Sequence, residues 1–177
     1  MKLTAPRPPT PVRESCVLLP THEPTEYSCP FCRIQQGVVD ERNLPSDVVA
    51  VTDRAFARVA PKWWPGNPGG VLVIPRVHVE NIYTLSPADG NAVWDLVRQV
   101  AVGIRSSYGC EGTSIRQHNE PAGDQDVWHL HVHVFPRYED DRLYLRHTEA
   151  EWVSPDARAA YALKLRRSLD LPVSFDG

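Results

Sequence analysis

The chain has 177 residues, of which 42% are hydrophobic and 23% charged, with a formal net charge of −3. That length and composition predict one soluble globular domain with room for a real core and some appended segments. The slightly acidic balance, without a basic block, argues against a nucleic-acid partner, and no apolar run approaches the roughly 18 residues that cross a membrane.

Residues 1–26 read as an irregular arm, because Pro6, Pro8, Pro9, Pro11, Pro20 and Pro24 deny it regular structure. The arm has no apolar stretch of the kind a secretory leader carries, so the expected address is cytoplasmic. In that reducing compartment Cys16, Cys29, Cys32 and Cys110 are not expected as disulfides. Residues 48–52 and 56–60 suit two short strands joined by a turn at Asp53 and Arg54. The proline- and glycine-rich stretch 61–70 is expected as a loop, followed by a central strand over 71–74 that Pro75 closes. A helix is predicted over 87–107, with Ser86 as its cap, Pro87 in its first turn, Asp89 at its positive end and Gly109 to stop it. Its apolar stripe is Val93, Leu96, Val97, Val100 and Ile104. Residues 113–118 read as a strand, 119–126 as a loop and 127–135 as another strand, and a last helix over 155–169 opens on Ser154, Pro155 and Asp156. Short-turned strands with one long helix between them predict an α+β domain on an antiparallel sheet.

The segment 127–135 carries the chemistry. In a strand successive side chains alternate faces, so Val127, His129, His131, His133 and Phe135 share one side while Trp128, Leu130, Val132 and Val134 anchor the other. Three imidazoles would then stand in a row about 7 Å apart. An imidazole is a poor packing residue because both ring nitrogens need partners, so three in alternation point to a nucleophile or to a ligand- or metal-binding row. Cys29-Pro30-Phe31-Cys32 is a second constellation, open to zinc ligation, a redox pair or inert thiols. A redox pair of this kind normally follows a buried strand, and residues 21–28 offer none.

His129-Leu130-His131-Val132-His133-Val134-Phe135-Pro136-Arg137 resembles the signature of the histidine triad (HIT) superfamily. Gly70-Val71-Leu72-Val73-Ile74-Pro75-Arg76-Val77-His78 resembles the Pro-ended strand upstream of that family's long helix. Ala55-Phe56 with Pro61 matches the strand before it, and Asn119 with Gln125 matches the polar loop before the triad. The resemblance covers about residues 29–138. It implies a five-stranded antiparallel sheet with one long helix, here with a shorter C-terminal helix, and usually a homodimer. Arm 1–26, HIT domain 27–138 and a C-terminal extension 139–177, whose helix packs on the domain, are the expected divisions.

The resemblance further implies hydrolysis or transfer at the α-phosphate of a nucleotide such as a dinucleoside polyphosphate or a nucleoside phosphoramidate. His131 would be the nucleophile of a covalent nucleotidyl-histidine intermediate, with His133 and His129 as the rest of the triad. The chemistry suits the residue: imidazole, with a reference pKa near 6.5, is largely unprotonated at neutral pH, and a covalent route divides one hard displacement into two. Asn119, Gln125, Asp126 and Arg58 are the expected substrate contacts, the amides serving as donors to non-bridging oxygens. A nucleotidyltransferase or phosphorylase, and a nucleotide-binding module with little catalysis, are the alternatives.

Some bacterial triad proteins and the related galactose-1-phosphate uridylyltransferases pair a Cys-x-x-Cys with two histidines. The corresponding positions here are Cys29, Cys32, His78 and His129, which implies a structural zinc ion and assigns His129 to the metal. Three positions depart from the usual pattern: Gly70 replaces a supporting histidine, Arg58 stands where many members grip the ribose, and Asp126 replaces a Ser or Thr. Arg58 is expected to meet a phosphate or a base, or else to be a plain surface charge. Trp63 and Trp64 are expected as loop anchors, a base-stacking platform or a dimer contact, and His118 as a site-lining or solvated strand residue.

Overall fold

The computed structural model describes residues 20–175, so most of the expected N-terminal arm lies outside the described residues. In chain order the elements that matter here are helix α1 (Pro30–Gln35), strands β1 (Val48–Val51), β2 (Ala55–Val59), β3 (Lys62–Trp63) and β4 (Val71–Pro75), helix α2 (Pro87–Ser107), strands β5 (Gly112–Gln117), β6 (Val132–Arg137) and β7 (Glu151–Trp152), and helix α3 (Pro155–Leu169). The large sheet is antiparallel throughout, in the order β1-β2-β4-β6-β5, and β3 pairs with β7 in a separate two-stranded ribbon.

Both long helices form where capping and periodicity place them. Ser86 Oγ accepts the Asp89 N–H at 3.1 Å and Ser154 Oγ that of Ala157 at 3.4 Å, each satisfying one of the donors a helix N-terminus leaves free. The stripe Val93, Leu96, Val97, Val100 and Ile104 is buried and covers one face of the sheet, meeting Ala55, Ala57, Val59, Val71, Val73, Val132 and Val134. Helix α3 joins that same core through Ala162 and Leu165. It approaches α2 so closely at Gly103 that a Cβ there would lie 2.7 Å from Leu165 Cδ1. The C-terminal residues therefore share the core of the sheet.

The opposite face of the sheet positions the site. Register aligns Arg58 with Leu72, Leu72 with His133 and His133 with Arg116, so these four residues form one cross-strand row. Helix α1, which periodicity did not suggest in so short a segment, packs Phe31 and Ile34 over the neighbouring Phe56, Leu72 and Ile74. The structure also corrects the expected strand over 127–135. Pairing begins only at Val132, because residues 127–129 form a bend in which the His129 N–H donates to Val127 O at 2.8 Å. The bend breaks the even row of imidazoles and turns His129 into the interior. The loop expected over 61–70 likewise contains β3, whose partner β7 comes from the C-terminal segment.

Candidate active site and metal centre

Cys29 caps α1 and Cys32 lies one turn on, while His78 follows the end of β4 and His129 lies in the bend before β6. Their ligand atoms all fall within 4.8 Å of one another. Cys29 Sγ lies 3.3 Å from His129 Nδ1, Cys32 Sγ lies 3.3 Å from His78 Nδ1, and Cys32 Sγ lies 3.7 Å from His129 Nδ1. Metal–sulfur bonds of about 2.3 Å and metal–nitrogen bonds of about 2.0–2.1 Å in a tetrahedron require edges of roughly 3.3–3.8 Å, which these three contacts match, while the widest separation, up to 4.8 Å, would close by as much as about 1 Å around an ion. Both imidazoles turn Nδ1 inward and engage an acceptor with the other nitrogen. For His129 Nε2 this is Pro75 O at 3.0 Å, and for His78 Nε2 it is Glu23 Oε2 at 3.0 Å, the arrangement that orients histidine ligands. Burial pushes the Cys29 thiol up to about 12 and His129 down to about 4. A thiol held that high becomes a thiolate only beside a cation.

Phe31 stands between this cluster and a second group, its ring edge-on to His129 at 5.6 Å and to His131 at 5.3 Å. His131 Nδ1 lies 2.9 Å from the His129 carbonyl oxygen, which can only accept. Nδ1 therefore carries the proton, and the lone pair of the neutral ring is on Nε2. Burial lowers His131 below the ordinary histidine range, with the carbonyl and Asp126 opposing, and burial holds His133 well below it. The two rings stand 4.9 Å apart, and His133 stacks on Phe135 at 5.3 Å with 10° between planes. Both rings line a cavity of about 300 Å³ whose walls include Phe31, Arg42, Arg58, Lys62, Trp64, Leu72, Asp126, Val127 and Trp152. A neutral, oriented imidazole at the edge of a cavity of this size is equipped to attack an electrophilic centre held there.

The HIT domain family model matches residues 41–140. The chain belongs to the HIT family. Among curated relatives, the HIT-like protein of Methanocaldococcus jannaschii is 29% identical over 130 residues, covering 72% of this chain and 93% of that protein. Adenosine 5'-monophosphoramidase of Schizosaccharomyces pombe is 30% identical over 110 residues, covering 62% and 74%. Among solved structures, a zinc-bound histidine triad family protein of Mycobacterium smegmatis superposes with a TM-score of 0.66 at 24% identity, covering 81% of this chain and 94% of that one. A histidine triad nucleotide-binding protein of Sulfolobus tokodaii superposes with a TM-score of 0.67 at 22% identity, covering 80% and 92%. The five-stranded antiparallel sheet with its helices is the HIT fold.

Within this HIT protein the expected site residues separate into two sets. His131, His133, Asp126 and Arg58 border one cavity, whereas His129 joins Cys29, Cys32 and His78. Arg58 is not the plain surface charge that was one reading of it. It is buried, with its guanidinium bonded to Asp47 Oδ2 at 2.9 Å, Arg42 O at 2.7 Å, Val59 O at 3.3 Å and the Asn43 side chain. Asn119 and Gln125 do not line the cavity, and their amides are taken by the protein itself. Asn119 accepts from the Ile82 N–H at 2.9 Å and donates to Gln117 at 2.8 Å. Gln125 donates to Glu80 O at 2.6 Å and Val127 O at 3.0 Å and accepts from the Glu120 N–H at 2.8 Å, which ties down the loop before the triad.

Trp63 anchors its loop, donating Nε1–H to Ala60 O at 2.7 Å and packing edge-on to Tyr161. Trp64 lines the cavity and meets Phe135 edge-on at 5.2 Å. His118 lies edge-on to His133 at 5.7 Å. Among the cavity residues that the sequence did not flag are Phe31, Arg42, Lys62 and Trp152. Trp152 arrives on β7 and stacks beneath the Arg42 guanidinium, 3.9 Å from its ring centre. Phe31 was visible as the apolar member of the Cys-Pro-Phe-Cys run, but no local pattern pairs Arg42 with a tryptophan 110 positions later.

Proposed function

We propose that this HIT protein is a nucleotide hydrolase acting at an α-phosphate through a covalent nucleotidyl-His131 intermediate. The observation that carries the reading is the fixed tautomer of His131: Nδ1–H is held by the His129 carbonyl at 2.9 Å, which leaves Nε2 as the nucleophile at the cavity wall. His133, in the same wall and lowered by burial, is a neutral partner for the phosphoryl oxygens. The phosphoramidase activity of the S. pombe relative belongs to the same chemical class, attack at a nucleoside monophosphoryl group. Arg42 and Lys62 bring positive charge to the mouth, while Phe31, Leu72 and Trp152 supply apolar surface for a nucleoside. Cys29, Cys32, His78 and His129 would hold one zinc ion. The ion's contribution is structural: it crosslinks the segment before β1, the end of β4 and the bend whose carbonyl orients His131. A homodimer and a cytoplasmic setting complete the reading.

The test is His131→Ala and His131→Gly. Both are expected to lose turnover of a nucleoside phosphoramidate or dinucleoside polyphosphate while still binding the nucleoside monophosphate. Intact-protein mass spectrometry of quenched wild-type reactions should show a nucleotidyl adduct that maps to the peptide containing His131. Retained turnover in either variant removes the assignment.

A further inference from the structure

A second cavity, of about 230 Å³, adjoins the first on the far side of His133, and Arg116, His118 and Asp124 form its outer wall. The two chambers share Lys62, Trp64, His133 and Asp126. Asp126 is the carboxylate common to both: Asp40 borders only the first chamber and Asp124 only the second. The Asp126 side chain is exposed and has no hydrogen-bond or ion-pair partner among the described residues. Its backbone, in contrast, is set in place by the three hydrogen bonds of its buried neighbour Gln125. An unpartnered carboxylate on a pinned loop between two chambers is a proton acceptor with access to both.

We propose that Asp126 is the general base of the second half-reaction, taking a proton from the water that hydrolyses the nucleotidyl-His131 intermediate. The inference rests on the nucleophile reading above, and it deepens that reading by naming the residue that activates the water. In-line displacement at phosphorus puts the leaving group opposite the attacking atom. The leaving group of the first step therefore departs away from His131 Nε2, and water must enter along the same line once it has gone. With the nucleoside in the first chamber, the second chamber is that exit and entrance, and Asp126 borders it. In the second step the water oxygen forms a bond to phosphorus and the phosphorus–Nε2 bond breaks, its electron pair returning to the ring. One water proton passes to the Asp126 carboxylate and then to solvent, leaving nucleoside monophosphate and neutral His131. Lys62 and Arg116, in the same chamber wall, offset the repulsion between this carboxylate and the phosphoryl group.

The experiment uses Asp126→Asn with the 5'-p-nitrophenyl ester of AMP, whose leaving group departs without needing a proton. The expected result is a burst of about one equivalent of p-nitrophenolate at the wild-type rate, followed by steady-state turnover slowed roughly 10²–10³-fold, within the range of a lost general base. The variant should carry the adenylyl mass, and hydroxylamine, a nucleophile that attacks without prior deprotonation, should shorten that adduct's lifetime more in the variant than in wild type. The removed carboxylate makes no hydrogen bond or ion pair among the described residues, so Tm should move by no more than a degree or two. Turnover within threefold of wild type, or a burst slowed as much as the steady state with no adduct, overturns the proposal. Absence of an adenylyl adduct from both wild type and variant, with His131→Ala still active, overturns instead the nucleophile reading on which it rests.

Discussion

Replacing Asp47 with Asn tests how the C-terminal helix and the cavity wall depend on each other. Asp47 is fully buried (0% exposed) between two arginines that are each 1% exposed. Oδ1 accepts Arg158 Nε at 2.9 Å and Oδ2 accepts Arg58 Nη2 at 2.9 Å, with the Leu44 N–H a third donor at 3.2 Å. The Asn variant keeps the shape and one acceptor but removes the charge that lets two guanidiniums sit together out of water. Removing one partner of a buried pair costs about 3–5 kcal/mol, mostly through the uncompensated charge left behind. Here two positive charges are left facing each other, which puts the expected loss near 4 kcal/mol against a total of roughly 5–15. For a chain of this size that is a Tm decrease of about 8–16 °C. Urea unfolding of Asp47→Asn, Arg158→Met and the double variant measures it. Arg158→Met alone also breaks the pair but removes one of the repelling charges, so the double variant should be less damaged than the two single losses predict, by about 1–3 kcal/mol. A loss under about 1 kcal/mol in Asp47→Asn, or strict additivity, would refute the reasoning.

Three further outcomes are expected. Trp152→Ala removes the surface under the Arg42 guanidinium, and an interaction of about 1–2 kcal/mol lost from substrate binding should raise KM roughly 5- to 30-fold with kcat within twofold. An equal fall in kcat would place Trp152 in the chemistry instead. Metal analysis should find one zinc per chain, absent from Cys29→Ser. With free zinc about a thousandfold above Kd, the metal-dependent share of stability is about 4 kcal/mol, and a chelator that leaves Tm unmoved would dispose of the site. The neutral ring of His131 is the reactive form, and burial lowers its pKa. The midpoint of protonation therefore lies below the ordinary histidine value of about 6.5, and kcat/KM should keep more than half of its pH 8 value at pH 6.5. A profile that already halves by pH 7 would count against that.

Regular elements were legible wherever a local signal sufficed. Helix α2 spans Pro87–Ser107 as its cap and stripe indicate, and α3 spans Pro155–Leu169. The sheet strands lie within a residue or two of their apolar runs, with β6 the exception. That exception is instructive. Alternation of apolar and polar residues continues back to Val127, but His129 lies against Cys29 at 3.3 Å, across 100 positions of sequence. The bend at 127–129 accompanies that long-range contact, and no periodicity within the segment encodes it. Helix α1 and the β3–β7 ribbon escaped notice for a related reason. Elements of six and two residues are too short for a pattern and persist through what they pack against.

By itself the sequence determined that this is an α+β domain with three histidines at a strand, two cysteines near the start and a helix at each expected place. Those features follow from spacing along the chain, which capping, periodicity and family motifs all read directly. The tertiary structure alone decided which polar groups remain available. It took the amides of Asn119 and Gln125 for hydrogen bonds within the protein, locked Arg58 onto Asp47, drew His129 away from its neighbours and left Asp126 without a hydrogen-bond or ion-pair partner among the described residues at the meeting of two chambers. A donor or acceptor is free only if no other group reaches it, and which groups arrive from 50 or 100 positions away is a property of the folded chain.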